Sequence, residues 1–139
     1  MNKHNRLKII LGFIIKQEED AAKTLSDSLR KRTNAQQQIT QLQQYSKEYM
    51  GDNLNNIDIP LLQNRQDFLA KISSAVTQQE ALLPELEKDI GDASQRWQKT
   101  KSQRKGIEKI LQKHQIQQEK QEDRQLQIDL DAYATRQKR

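Results

Sequence analysis

LGFIIKQEEDAAKTLSDSLRKRTNAQQQITQLQQYSKEY, residues 11–49, decides the fold. Stepping alternately by three and four picks out Leu11, Ile14, Glu18, Ala21, Leu25, Ser28, then Arg32, Ala35, Ile39, Leu42, Ser46 and Tyr49. Eight of these twelve are apolar or aromatic. That is the spacing of a coiled-coil seam, in which one narrow stripe faces a partner helix. The residues between are Lys, Arg, Glu, Asp and Gln, which favour a solvated helix surface. Gly51 follows the last seam position and suits the left-handed residue that ends many helices.

Working outward, GDNLNNIDIP (residues 51–60) is the only turn-rich segment, with Asp58 a cap for a helix opening at Pro60. A second tract follows: Phe68, Ile72, Ala75, Gln79, Leu82 and Leu86, then Ile90, Ala93, Trp97, Thr100, Arg104, Ile107, Leu111 and His114. Two successive steps of four, from Leu82 to Leu86 to Ile90, predict a local unwinding beside Pro84. Pro84 removes one helical hydrogen bond, which predicts a bent but continuous helix. The fold class is all-α: two long helices in an antiparallel coiled-coil hairpin, the C-terminal helix longer and overhanging. As one domain over 1–139, it comprises a helix at about 4–50, a turn at about 51–60 and a helix at about 61–136. Reflection about residue 55 pairs Ile14 with Trp97, Leu25 with Leu86 and Leu42 with Phe68. It exhausts the first helix when the second reaches about residue 107. Beyond that, His114, Gln118, Gln121 and Gln125 read as an unpaired overhang, and Leu126, Ile128, Leu130, Ala132 and Tyr133 as apolar residues with nothing in the chain to cover them.

Composition agrees. Of 139 residues only 33% are hydrophobic and 31% are charged, too few apolar groups for a globular core. Such composition borders on disorder, but four Gly and two Pro are few for a loop-rich chain. Without cysteine there is no disulfide framework, thiol chemistry or thiolate metal site, which fits a reducing compartment. The glycines stand singly, so no phosphate-binding loop exists. The apolar run Leu7–Ile15 is far shorter than the roughly 20 residues that span a bilayer, and the small-residue pair that follows it, Ala21-Ala22, stands behind three acids, unlike a signal-peptide cleavage site. The expected location is cytoplasmic, with no direct bilayer insertion.

Catalytic constellations are missing. His4 and His114 read as isolated, with no Cys, His or carboxylate at metal-ligand spacing. No enzyme activity, metal or cofactor is expected. Net charge is +5, from 24 basic and 19 acidic residues, but it is segregated. Residues 80–92 carry Glu80, Glu85, Glu87, Asp89 and Asp92 against Lys88. Residues 95–113 carry Arg96, Lys99, Lys101, Arg104, Lys105, Lys109 and Lys113 against Glu108. Without stacking aromatics or a reading module, this basic segment points to an acidic protein surface rather than nucleic acid. Near the turn, Tyr45, Tyr49, Phe68, Ile72 and Ala75 exceed what one shared seam can bury, and such a patch marks a docking site.

These segments also carry a resemblance. EDAAKTL (19–25), QLQQYSKEYM (41–50), NRQDFLAKISSAV (64–76), SQRWQKTKSQR (94–104) and LDAYATRQKR (130–139), in that order, resemble the flagellar FliJ family. Pro84 and the Gln-rich tail depart from the family pattern. The resemblance implies a component of the flagellar type III export apparatus, shaped like the central stalk of a rotary ATPase. It would insert into the hexameric export ATPase ring, promote its assembly and activity, and couple it to the membrane export gate protein. An ATPase regulator and export chaperones are implied partners, and the location becomes peripheral to the inner membrane at the flagellar base. Gate binding in the family corresponds here to Gln38, Leu42, Tyr45, Tyr49, Phe68, Ile72, Ala75 and Gln79. ATPase-ring contact would then fall to the bases from Arg96 to Lys113. Three other readings stand beside this one: an injectisome stalk, a passive coiled-coil scaffold and a nucleic-acid-binding rod.

Overall fold

The seam residues and the helix-forming residues between them build two helices and no strand among the described residues, which are 2–51 and 59–137 of this computed structural model. Helix α1 is Lys3–Gly51 and helix α2 is Ile59–Gln137, of 49 and 79 residues. The Asn2 side chain opens α1 by accepting a hydrogen bond from the Asn5 amide at 2.8 Å, which satisfies an otherwise unpaired donor of the first turn. Pro60 stands in the first turn of α2, where a missing amide hydrogen costs nothing. The chain is an antiparallel coiled-coil hairpin whose second helix is the longer and overhangs. Most of the expected turn, including Asp58, lies outside the described residues. Gly51, expected in the left-handed conformation, is instead helical, with no positive φ among the described glycines.

Two compact units divide the packing: residues 21–96, and residues 1–20 with 97–139. In the first, Arg32 pairs with Glu87 at 3.1 Å and the Tyr49 ring meets Phe68. In the second, Glu18 pairs with Arg104 and the His4 ring stacks on His114. Each α2 partner therefore lies two to three helical turns further along than reflection about residue 55 placed it. The correction has a plain cause. Reflection assumes that the reversal bisects the connecting segment, whereas the first turns of α2, residues 59–64, are all exposed and run past the end of α1.

All twelve predicted seam positions of α1 are buried or half-buried, and the alternation extends back through Leu7 to His4. In α2 the phase near the start differs from expectation. Phe68 and Leu82 are 43% and 48% exposed, and Leu69 and Leu83 take the seam. From Arg65 to His114 the covered positions then step by four and three without a break. The expected unwinding beside Pro84 is absent, and α2 runs through Pro84 as continuous helix. A stutter in one helix would throw its side chains off a regular partner, and α1 is regular throughout. The buried residues among those described are Ala21, Ala35, Ile39, Ile72 and Ala93, with Arg65 and Thr100, and of these Ala21 alone is fully covered. Two helices enclose one stripe and leave larger side chains half in water.

Candidate functional site

In the unit of residues 21–96, the last turn of α1 and the start of α2 form an aromatic surface. Tyr49 is the last seam residue of α1 and Phe68 sits one position off the α2 seam. Their ring centroids are 4.6 Å apart and tilted by 48°, a favourable edge-biased contact. Arg65, only 7% exposed, lies over the Tyr49 ring at 5.3 Å and also donates a hydrogen bond to the Tyr49 carbonyl oxygen. That carbonyl belongs to the final turn of α1, where no intrahelical donor remains, so the guanidinium caps the helix while stacking on its ring. Tyr45 stands beside them, 57% exposed, and with Glu48, Tyr49 and Phe68 lines one open groove.

The eight residues drawn from the resemblance do not all share that groove. Ile72 is buried and lines a different hollow, with Met50, Leu69, Val76 and Glu80 among its walls. Leu42, Ala75 and Gln79 are half-buried along the seam, and Gln38 is exposed. Sequence reasoning missed Arg65, Glu48 and Met50. Arg65 had a usable signal: it continues the alternation backward from Leu69, but the aromatic Phe68 drew the phase one residue off.

Among residues 97–139 the basic segment splits by role. Lys99, Lys105, Lys109 and Lys113 are exposed on α2. Lys101 is half-buried, its ammonium 5.0 Å from the centre of the Trp97 ring. Arg104 faces inward on the seam, hydrogen-bonded to Glu18 across the helices and to Glu108 at 3.0 Å along its own. The Glu18 bond, and after it the Glu108 bond, hold the guanidinium above its ordinary range. Its charge is spent inside the seam rather than offered to a partner. Arg96, exposed on α2, belongs to the other unit.

His4 and His114 are not isolated. Their rings stack at 5.4 Å with 23° between planes, and each Nδ1 is buried without a hydrogen-bond partner among the described residues. Paired coil thus reaches His114 rather than ending near residue 107, and every described residue from 115 to 137 is exposed. No group of three or more His, Cys, Asp or Glu able to hold a metal occurs among the described residues. No helix of the described residues is long and apolar enough to cross a membrane.

Compared one by one with curated proteins, the chain finds no significant match. The sequence model of the family described as "Flagellar FliJ protein" matches residues 3–139, nearly the whole chain. With the helical hairpin and a match over nearly its whole length, the chain belongs to the flagellar FliJ family and is a protein associated with flagellar export.

Proposed function

We propose that the chain is the non-catalytic, stalk-like coiled coil of the export ATPase, with separate segments for the ring and for the membrane export gate. The observation that carries this reading is the Tyr49–Phe68–Arg65 cluster, which fixes an aromatic surface beside exposed Tyr45. Holding aromatic rings half in water costs a chain that gains nothing from it alone, whereas such rings are preferred anchors in protein interfaces. The gate protein is the partner assigned to this surface, with Gln38, Leu42, Ile72, Ala75 and Gln79 supporting it from the seam.

The ring of the export ATPase is assigned to residues 1–20 and 97–114, where Lys99, Lys105, Lys109 and Lys113 offer cations to acidic ring residues. Arg104 serves there as an internal tie, and Arg96 extends the charge along α2. Export chaperones and the ATPase regulator complete the partners, and location at the cytoplasmic face of the membrane follows from the gate. The test is the ATPase rate of the cognate ring with and without the purified chain. The expected result is stimulation that falls when Lys105→Glu and Lys109→Glu are introduced together. Full stimulation by that variant would remove the ring assignment.

A further inference from the structure

Leu82 is 48% exposed within the paired coil of residues 21–96, and its placement is periodic. Phe68, Ala75 and Leu82 each stand one place before a seam residue, respectively Leu69, Val76 and Leu83, so they recur every seven residues along one edge of α2. On α1, Gln38 and Tyr45 hold the same place before Ile39 and Ser46. Tyr45 and Phe68 line one groove, which puts both columns on the same edge of the coil. Two contacts fix how the columns interleave: Tyr49 meets Phe68, and Arg32 meets Glu87. In that register Tyr45 falls between Phe68 and Ala75, and Gln38 between Ala75 and Leu82. Two-stranded coils commonly fill these columns with Glu and Lys. Here charge returns only past Leu82, with Asp89 on α2 and Lys31 on α1.

An apolar column beside the seam is the pattern of a helix with more than one neighbour. We propose that one amphipathic α-helix of the gate protein lies along this edge as a third helix, with Leu82 as its far anchor. The proposal rests on the assignment of the gate to the Tyr45–Phe68 surface and extends that surface along the coil. The repeat of the edge selects the occupant. Successive column residues are about 10.5 Å apart along the axis, and a helix packed at a shallow angle repeats its own apolar residues at that interval. An extended strand repeats side chains on one face about every 6.7 Å, out of step with the edge. A loop closing on the tip would be satisfied by Tyr45, Tyr49 and Phe68 and would leave Leu82 wet. From Phe68 to Leu82 the occupant spans about 21 Å, or about four turns. Gln38, exposed and outside the aromatic groove, thereby joins the surface as the polar residue between Ala75 and Leu82.

The test is titration of the full-length chain with the cytoplasmic part of the gate protein. Leu82→Ala is expected to weaken capture at least about fivefold, with helix content unchanged by circular dichroism. Leu29→Ala, on the opposite edge one place after Ser28, and Asp89→Ala, past the apolar column, are expected to stay within about twofold of wild type. A second measurement reads the shape of the occupant. The chain has no cysteine, so Lys71→Cys and Glu85→Cys, about one turn beyond Phe68 and Leu82 respectively, can each carry a photo-cross-linker alone. Their cross-links are expected on one segment of the gate protein, about 14 residues apart. Full capture by Leu82→Ala, while Tyr45→Ala with Phe68→Ala loses it, would overturn the third helix and leave the gate assignment standing. Capture untouched by either variant would remove the assignment and the inference with it. Cross-links on separate segments, or at the same residue, would overturn the helical occupant.

Discussion

Phe68 rests against Tyr49 with 4.6 Å between ring centres, joining the start of α2 to the last turn of α1. The contact arises because Phe68 lies one position off the seam, so its ring clasps the edge of the coil instead of entering it. Phe68→Ala is expected to destabilise by about 1–2 kcal/mol, less than a buried phenylalanine because nearly half of the ring is already wet. Tyr45→Ala, lacking that clasp, is expected to stay within about 0.5 kcal/mol of wild type. Urea unfolding of both variants checks the difference.

Arg65→Ala removes the cap from the Tyr49 carbonyl and the cation from its ring. The expected cost is about 1–3 kcal/mol, because a partly buried acceptor loses its donor. Hydrogen exchange should show faster opening confined to the last turns of α1. An unchanged exchange pattern would mean that water replaces the guanidinium without loss.

Arg104→Met leaves Glu18 facing the seam without its cation, and Glu18 has a side chain only 16% exposed. The variant is expected to unfold at lower urea than wild type, whereas Lys105→Met, exposed next door, is not. A double-mutant cycle between Glu18→Gln and Arg104→Met measures the pair directly and should report favourable coupling.

The stacked imidazoles of His4 and His114 predict the opposite sign. Each keeps a buried Nδ1 without a partner among the described residues, a burden that an apolar pair would not carry. Replacing both with leucine is expected to raise stability by about 1–2 kcal/mol, since removing two unsatisfied groups together avoids stranding either. A lowered melting temperature would show that the stacking contact outweighs the orphaned nitrogens.

From Leu11 to Tyr49 the α1 seam was legible because its hydrophobic spacing is regular and nothing competes with it. In α2, adjacent candidates at 68 and 69 and at 82 and 83 left the phase to whichever residue looked more apolar. The regular partner helix settles it in favour of Leu69 and Leu83. Axial register was not legible, since it depends on how far α2 overruns α1 at the reversal, and no residue type encodes that distance. His4–His114 and Glu18–Arg104 were hidden by the same displacement. Of the site, Tyr45, Tyr49 and Phe68 announced themselves as aromatics with no room in the seam, whereas Arg65 did not, because a buried arginine looks like any other surface base. Charge counting likewise placed Arg104 outside, although its position on the alternation already pointed inward. Flagellar as against injectisome membership was not written in any single residue, and the family match supplies it.

The central claim is a division of labour between the aromatic surface and the basic segment, and one variant tests it. Tyr45→Ala combined with Phe68→Ala should still raise the ATPase rate of the cognate ring as wild type does, while losing capture of the export gate's cytoplasmic part. Equal loss of both activities, or retention of gate capture, would contradict the account.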